Sequence, residues 1–146
     1  MENLNWKELQ IWTSYVTPDL LTSVMERSIL PIFIARNITN SGLIGGWQGT
    51  AVHFPEFAPS PELLRDWKYR GMPTEEFDRL FEEELAKRVN LPKVLDRLEV
   101  LRNVSGATGV VLMGYGQDPA QDHRHVVSRF INSSGLLRST IIELIP

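Results

Sequence analysis

An apolar run that ends in two closely spaced glycines decides the fold: residues 109–116 read GVVLMGYG. Consecutive apolar residues of this kind are typical of a strand covered on both faces of a sheet. A helix with apolar residues at helical spacing is predicted from about Ala120 to Ser134, and Gly135 ends it. A buried strand, a glycine-containing turn and a helix are the parts of a parallel βαβ unit.

The same alternation of strand and helix precedes and follows this run. Further strands are predicted over residues 9–15, 30–35 and 140–145, and further helices over residues 18–27, 61–70, 74–88 and 91–104. Thr74 is expected to cap the third of these helices. Pro31 either makes the first residues of the second strand edge-like or places them before the ladder begins. We therefore predict a single three-layer, Rossmann-like α/β domain over residues 1–146, with about five helices and a mostly parallel sheet of about four strands.

Composition excludes several classes of protein. The chain has 146 residues, of which 42% are hydrophobic and 23% charged, and no apolar run approaches the roughly 20 residues of a membrane span. Residues 1–5 lack the basic and apolar regions of a signal peptide. The absence of cysteine excludes disulfides and thiolate chemistry and suits a reducing interior, so we expect a cytoplasmic protein.

Charge argues against a nucleic-acid partner. The net charge is −3, whereas non-specific nucleic-acid binding draws its affinity from excess lysine and arginine. Residues 66–70, DWKYR, mix basic and aromatic side chains, but in an acidic chain we interpret them as the end of a helix. A small anionic molecule is the expected partner, and the oligomeric state is left open.

A long irregular stretch is predicted over residues 36–59, with several glycines and prolines. Loops of this length in compact domains are often functional. We expect its aromatic residues Trp47, Phe54 and Phe57 to attach it to the body of the domain. The alternative is that residues 47–57 present an exposed aromatic surface to a partner protein.

Polar residues follow the predicted strands at the edge where open α/β sheets bind ligands. The candidate ligand-binding residues are Thr13, Ser14, Tyr15, Arg36, Gly114, Tyr115, Gly116, His123 and Arg124, and the candidate catalytic residues are Asp122 and His123. The two glycines either allow a tight turn or let backbone N–H groups approach an anion. Tyr15 and Tyr115 either stack on a flat ligand or belong to the core.

The two arginines are open to two interpretations. Arg36 and Arg124 either bind an anionic group or pair with an acidic side chain of the protein. Arg124 lies near a helix start, where its charge is unfavourable for the helix dipole, so it needs one of these partners.

Histidines provide a weaker indication of a metal site. His123 and His125 are two residues apart, so on a helix their side chains point in different directions. A site formed by Asp122, His123, His125 and the distant His53 is therefore the lesser alternative, and no cofactor is expected. We expect one of the two neighbouring histidines to face the crevice and the other to bond to the backbone.

The order of these segments resembles that of the DUF488 domain family, an uncharacterised α/β family. The matching segments are residues 11–15, 32–36, 57–64, 67–71, 76–85 and 111–130. The family's hallmark is a strand that ends in Cys-Tyr-Glu, followed by Cys-His-Arg at the next helix start. The corresponding residues here are Gly114-Tyr115-Gly116 and Asp122-His123-Arg124, so the tyrosine, histidine and arginine are present and the two cysteines and the glutamate are not. The resemblance implies the fold and the location of the pocket.

The first functional hypothesis is a small-molecule-binding domain. His123, Arg124 and Arg36 would hold a phosphate or carboxylate, with Tyr15 or Tyr115 against a flat group such as a nucleobase. A phage-type decoy that sequesters a nucleotide signal would have this function.

The second hypothesis is an enzyme that acts on a nucleotide or sugar phosphate. Asp122 or His123 would act as acid or base, and Arg124 would stabilise developing negative charge. The third is a protein-interaction domain that uses the aromatic loop of residues 47–57.

Overall fold

The computed structural model describes residues 6–35, 52–116 and 118–144. In this part of the chain, five strands form one parallel sheet in the order β3-β2-β4-β1-β5. The strands are Ile11–Tyr15 (β1), Ile29–Phe33 (β2), Val52–His53 (β3), Gly109–Gly114 (β4) and Ile142–Glu143 (β5). The predicted α/β class and parallel sheet are confirmed.

Five α-helices are present in the described residues: Pro18–Glu26 (α1), Pro61–Tyr69 (α2), Thr74–Arg88 (α3), Leu91–Ser105 (α4) and Arg124–Ser134 (α5). Short 3-10 turns occur at Trp6–Glu8, Pro55–Phe57 and Pro119–Gln121. No helix in these residues has the length and apolarity needed to cross a membrane.

Alternate residues of the sheet supply two separate cores. Val110 and Leu112 of β4 pack with the apolar residues of α2, α3, α4 and α5. Val111 and Met113 of the same strand pack with the apolar residues of α1. Side chains along a strand point to opposite faces in turn, so this all-apolar strand serves both cores. The sheet is thus the middle of three layers.

Register brings the carboxyl ends of three strands together. Tyr15 at the end of β1 pairs with Gly114 at the end of β4, and Phe33 of β2 pairs with Met113. The segments that follow β1, β2 and β4 therefore start at one edge of the sheet, which is the edge where ligands bind in this class of fold.

One strand lies inside the stretch predicted to be irregular. Val52 and His53 form β3, which pairs with Ile32 and Phe33 at the sheet edge. Two residues are too few to show the alternation by which strands are recognised in a sequence. The prediction of about four strands is therefore one strand short.

Pro31 lies within β2 without breaking the sheet. Ile34 donates its N–H to Met113 of β4, and successive N–H groups of a strand point to alternate sides, so the nitrogen of Pro31 faces away from β4. Within the described residues, the pairing with β3 begins at Ile32, so the missing N–H of Pro31 faces no strand residue there. In this part of the chain the start of β2 is edge-like on that side, as predicted, and β4 pairs with it from Ile29 onwards.

One predicted cap and one predicted helix start are wrong. The helix α3 begins at Thr74 as predicted, but Pro73 is its N-cap, and the Thr74 hydroxyl accepts a hydrogen bond from the Trp67 indole. The helix predicted from Ala120 begins at Arg124, because Asp118 caps a separate 3-10 turn and Asp122 is in extended backbone after it.

Two of the three loop aromatics belong to the core. Phe54 and Phe57 are buried, and Arg97 of α4 covers the ring of Phe54. They attach this segment to the domain as predicted and do not form an exposed surface. Trp47 lies outside the described residues.

Candidate functional site

A pocket of about 130 Å³ lies at the carboxyl edge of the sheet. Ala35, just after β2, and Tyr115, directly after β4, form part of its wall, and the last turns of α2 form another part. Asp122 and His123, at the entry to α5, contribute its charged and polar groups. The lining residues are Ala35, Pro59, Leu64, Trp67, Lys68, Tyr115, Asp122 and His123.

Asp122 packs against the backbone of two glycines, Gly114 at the end of β4 and Gly116 just after it. A Cβ atom built on Gly114 would lie 2.0 Å from Oδ2 of Asp122, and one built on Gly116 would lie 3.0 Å from the Asp122 Cβ. A side chain at position 114 is therefore incompatible with the present position of the carboxylate. The absence of a Cβ at both positions makes room for Asp122.

Arg124 holds this carboxylate from the protein interior. Its side chain is completely buried, and Nη1 donates to Oδ2 of Asp122 at 2.8 Å and to the carbonyl oxygen of Gly116. Nη2 donates to Oε2 of Glu143 at 2.8 Å, and Nε donates to Oε1 of Glu143 at 3.1 Å. Such a two-point contact fixes the plane of the guanidinium group. Arg124 thus links β5 to Asp122.

His123 presents both ring nitrogens to acceptors. Nε2 lies 2.8 Å from the carbonyl oxygen of Ile34, and Nδ1 lies 3.4 Å from Oδ1 of Asp122. A carbonyl and a carboxylate only accept hydrogen bonds, so both ring nitrogens face acceptors. The ring also makes an edge contact with Phe81 of α3, with a centroid separation of 5.9 Å. These contacts fix the histidine at the pocket wall.

Two carboxylates flank one guanidinium group in this cluster. Asp122 and Glu143 are the anions, Arg124 is the cation that contacts both, and the His123 ring faces Asp122. Burial alone would raise the pKa of the Asp122 carboxyl, but hydrogen bonding and charge from His123 and Arg124 outweigh it and lower this pKa to about 2. Burial likewise acts to lower the pKa of Arg124, yet Glu143 and Asp122 raise it. Asp122 is therefore ionised at neutral pH.

A family model matches residues 32–135, more than two-thirds of the chain. It is the model of DUF488-N3a, described as the active DUF488-N3 subclade. The chain belongs to the DUF488 family. No curated protein and no solved structure gives a significant match.

The positions where this DUF488 domain lacks the hallmark residues are in contact with one another. Gly114, Gly116 and Asp122 stand where the resemblance implies cysteine, glutamate and cysteine, and the Asp122 side chain packs directly against both glycines. The retained Tyr115 and His123 line the pocket, and the retained Arg124 holds Asp122. The three differences thus form one local arrangement that accommodates a carboxylate.

Only some of the predicted site residues line this DUF488 pocket. Tyr115, Asp122 and His123 do so. Thr13 donates to Glu143 at 2.8 Å, and Tyr15 lies beside Arg124, whose guanidinium carbon is 5.7 Å from the ring centroid. The Ser14 hydroxyl is buried and donates to the carbonyl oxygen of Leu144. Arg36 lies outside the described residues.

The other histidines have structural partners. His125 contacts the carbonyl oxygen of Asp122 through Nδ1 and Asp78 of α3 through Nε2, at 2.8 Å for the latter. His53 contacts the carbonyl oxygen of Ala35 at 2.6 Å. Among residues 6–35, 52–116 and 118–144, no group of three acidic or histidine side chains is arranged to hold a metal ion.

Two residues of the site were missed from the sequence. Lys68 at the pocket wall donates to the carbonyl oxygen of Gln121 at 2.9 Å and lies 4.0 Å from the centre of the Trp67 ring. Its place depends on how α2 packs against the turn before Asp122, which no local pattern reveals. Glu143 had a signal, because it is a single acid inside an apolar strand and buried acids need a cationic partner.

Proposed function

We propose that this DUF488 domain binds a small molecule that carries an anionic group, with the pocket at Asp122 and His123 as its binding site. The observation that carries the proposal is the composition of the pocket wall. It combines apolar and aromatic side chains with three polar ones, Asp122, His123 and Lys68. Apolar walls with a few converging polar groups are typical of small-molecule sites.

Lys68 is the candidate receptor for the anionic group. Its ammonium group is on an exposed side chain and, among the described residues, donates one hydrogen bond, to Gln121, of the three that an ammonium group offers. Arg124 is buried and bonded to carboxylates, so Lys68 is better placed than Arg124 to meet a ligand. In the sequence, Arg36 follows Ala35 of the pocket wall and is proposed as a second cation.

The volume of the pocket limits what it encloses. A volume of 130 Å³ corresponds to roughly four water molecules, well below the about 300 Å³ at which drug-sized sites begin. The enclosed part of a nucleotide-like ligand is therefore one phosphate or one sugar, and the rest of the ligand lies outside. A decoy that sequesters such a molecule in the cytoplasm would have to bind it at this contact surface and release the bound molecule slowly, and would need no other feature.

The test is incubation of the purified protein with a mixed pool of nucleotides and sugar phosphates, followed by mass spectrometry of what the protein retains. We expect a phosphate-bearing compound to be retained and released intact on denaturation. Lys68→Ala should weaken its binding about tenfold, whereas Lys93→Ala, which removes an exposed lysine of α4, should not. Retention of no compound, or equal retention by both variants and the parent, would contradict the proposal.

An enzyme that acts on a nucleotide or sugar phosphate is the second candidate. The description of the matching subclade as active favours it, as does an ionised carboxylate beside a histidine in the pocket. A carboxyl with a pKa of about 2 carries no proton at neutral pH, so Asp122 would act as a base or stabilise positive charge rather than donate a proton.

The same incubation tests the enzyme. Consumption of a compound with the appearance of a new mass would establish turnover, and Asp122→Asn should then lower the rate at least about a hundredfold. An Asp122→Asn variant that turns over at the parental rate would eliminate Asp122 as the base. A compound that is bound but never changed would favour the binding domain.

A further inference from the structure

Glu143 is an acidic side chain on β5 that is held at both of its carboxylate oxygens. Thr13 of β1 donates to Oε1 at 2.8 Å, and Nη2 of Arg124 donates to Oε2 at 2.8 Å. The Glu143 side chain is 29% exposed and does not line the pocket. An acid fixed in this way acts on the pocket only through the residues that it contacts.

Arg124 is the residue that joins Glu143 to the pocket, and its contacts on the two sides differ. Towards Glu143 two nitrogens donate to one carboxylate, Nε at 3.1 Å and Nη2 at 2.8 Å. Towards the pocket a single nitrogen, Nη1, donates to Oδ2 of Asp122 at 2.8 Å and to the carbonyl oxygen of Gly116. Two parallel bonds to one carboxylate fix the plane of a guanidinium group, whereas one shared nitrogen does not. The orientation of Arg124 is therefore set from the side of Glu143.

Burial makes this orientation important. The Arg124 side chain has no exposed surface, and the residue is the first of α5, where the helix dipole is unfavourable for a cation. A buried guanidinium group needs partners for its charge and its N–H groups. Glu143 provides such a partner and leaves Nη1 directed at Asp122.

We propose that Glu143 is a positioning residue for the pocket, which acts through Arg124 to fix the Asp122 carboxylate where a ligand meets it. The inference rests on the proposed binding function, because it concerns how that binding site is assembled. Thr13 supports the same arrangement by holding Oε1 of Glu143. The alternative is that Glu143 only neutralises the charge of Arg124.

Two neutral substitutions separate position from charge. Glu143→Gln and Glu143→Ala both remove the negative charge, and the loss of a nearby negative charge by itself lowers the pKa of Asp122. Only Glu143→Gln keeps a side-chain oxygen that accepts from Arg124. Loss of the oriented guanidinium group acts in the opposite direction, because burial raises the pKa of Asp122 and contacts from His123 and Arg124 lower it.

The measurement is the pKa of the Asp122 carboxyl in the ligand-free protein, followed by its carbon-13 signal against pH. In the parent this pKa is about 2, so the signal should stay that of the carboxylate down to about pH 3. Glu143→Ala should raise the pKa of Asp122 above about 3, towards the roughly 3.9 of a free aspartate. Glu143→Gln should leave the pKa of Asp122 close to that of the parent.

A matched control removes the same type of contact elsewhere. Glu99 accepts from two nitrogens of Arg102 on α4, Nε at 2.6 Å and Nη2 at 2.8 Å. Glu99→Ala should leave the pKa of Asp122 unchanged. If circular dichroism shows that Glu143→Ala is unfolded, Thr13→Val provides the test, and it should weaken the acidity of Asp122 at least about threefold.

The outcomes separate this inference from the binding function. Equal pKa values of Asp122 in the two neutral Glu143 variants, an equal rise in Glu99→Ala, or an unchanged pKa in the Thr13→Val fallback would overturn the positioning role. A titration of the parent with glycerol 3-phosphate tests binding separately. No binding at millimolar concentration, with pKa values that do separate, would overturn the binding function and support the placement of Asp122 by Glu143.

Discussion

Asp122 lies in extended backbone between a 3-10 turn and α5, and this placement turns its side chain towards the end of β4. The carboxylate is confined on one side by Gly114 and on the other by Arg124. Adding or removing a single atom at this point is therefore expected to have a large effect on the stability of the protein. Two predictions concern this residue and its neighbours.

Gly114→Ala should destabilise the protein by about 1–3 kcal/mol, the usual cost of overpacking a core position. The new Cβ would lie 2.0 Å from Oδ2 of Asp122, a short side chain that Arg124 holds in place. Urea unfolding measures the loss. The double variant Gly114→Ala with Asp122→Ala should lose less stability than the two single losses together, and strict additivity would show that the two positions do not compete for space.

Acid should weaken the native state through Asp122. The pKa of this carboxyl is about 2 in the native state and roughly 3.9 in an unfolded chain, so its contribution of about 2 kcal/mol is complete above about pH 5. It is lost as the pH falls through 4 towards 2. Stability measured against pH should therefore fall more steeply over this range in the parent than in Asp122→Asn. If the curves of stability against pH run parallel in the parent and in Asp122→Asn, Asp122 is not the source of the acid sensitivity.

Among the elements, the entry to α5 shows how local chemistry shapes the site. Asp118 caps the 3-10 turn by accepting from the N–H of Ala120, and His123 is the N-cap of the helix. This arrangement keeps Asp122 out of the helix and lets it reach the pocket. His125, on the first turn of α5, binds Asp78 and so fixes the helix against α3.

The other end of α5 gives a test of helix termination. Gly135 has a φ of 68°, in the left-handed region, and a Cβ built there meets no atom within 4 Å. Gly135→Ala should therefore cost about 1 kcal/mol through backbone strain alone. Gly135→Asn should cost less, because asparagine tolerates this conformation better than alanine does. Thermal unfolding of both variants measures the difference, and an alanine variant as stable as the parent would exclude the strain.

Most elements could be predicted from the sequence, and the exceptions have physical reasons. The apolar runs of β2 and β4 and the periodic helices α3 and α4 carry strong local signals. The strand β3 has only two residues and exists because β2 offers it an edge. The N-cap of α3 was misassigned, because the Thr74 hydroxyl bonds to Trp67 where two helices pack together and Pro73 takes the N-cap position.

On the scale of the whole molecule, the connections that lie within the described residues follow one rule of handedness. The connections from β3 to β4 and from β4 to β5 both cross the sheet in the direction of β5, and they run over the face covered by α2–α5. The connection from β1 to β2 crosses in the opposite direction, over the face covered by α1. A constant crossover hand requires this arrangement. It leaves the carboxyl ends of β1, β4 and β2 side by side, where the polar residues collect.

The shared sheet predicts a single unfolding transition. β4 contributes Val110 and Leu112 to one core and Val111 and Met113 to the other, so neither core persists when this strand is lost. Denaturant curves followed by tryptophan fluorescence and by far-ultraviolet circular dichroism should coincide. Two separated transitions would show that the faces unfold independently and would contradict the single-domain prediction.

The location of the site could be predicted further than its composition. Open parallel sheets bind ligands at the carboxyl edge, so Tyr115, Asp122 and His123 were candidates because they follow a predicted strand, and the same rule selected Thr13 and Ser14, which do not line the pocket. The roles of Arg124 and Lys68 depend on partners far away in the chain, Glu143 for one and Gln121 for the other. Sequence spacing does not reveal that Arg124 joins Asp122 to the distant Glu143.

The most direct test of the pocket is a titration of the isotopically labelled protein with glycerol 3-phosphate, followed by the amide signals in nuclear magnetic resonance spectra. A second pocket of about 400 Å³, between β3 and α4, provides the contrast, with Arg97 and Val100 in its wall. We predict that the largest shifts occur at Lys68, Tyr115 and His123. Shifts concentrated at Arg97 and Val100, or no saturable shifts at any residue, would contradict the account.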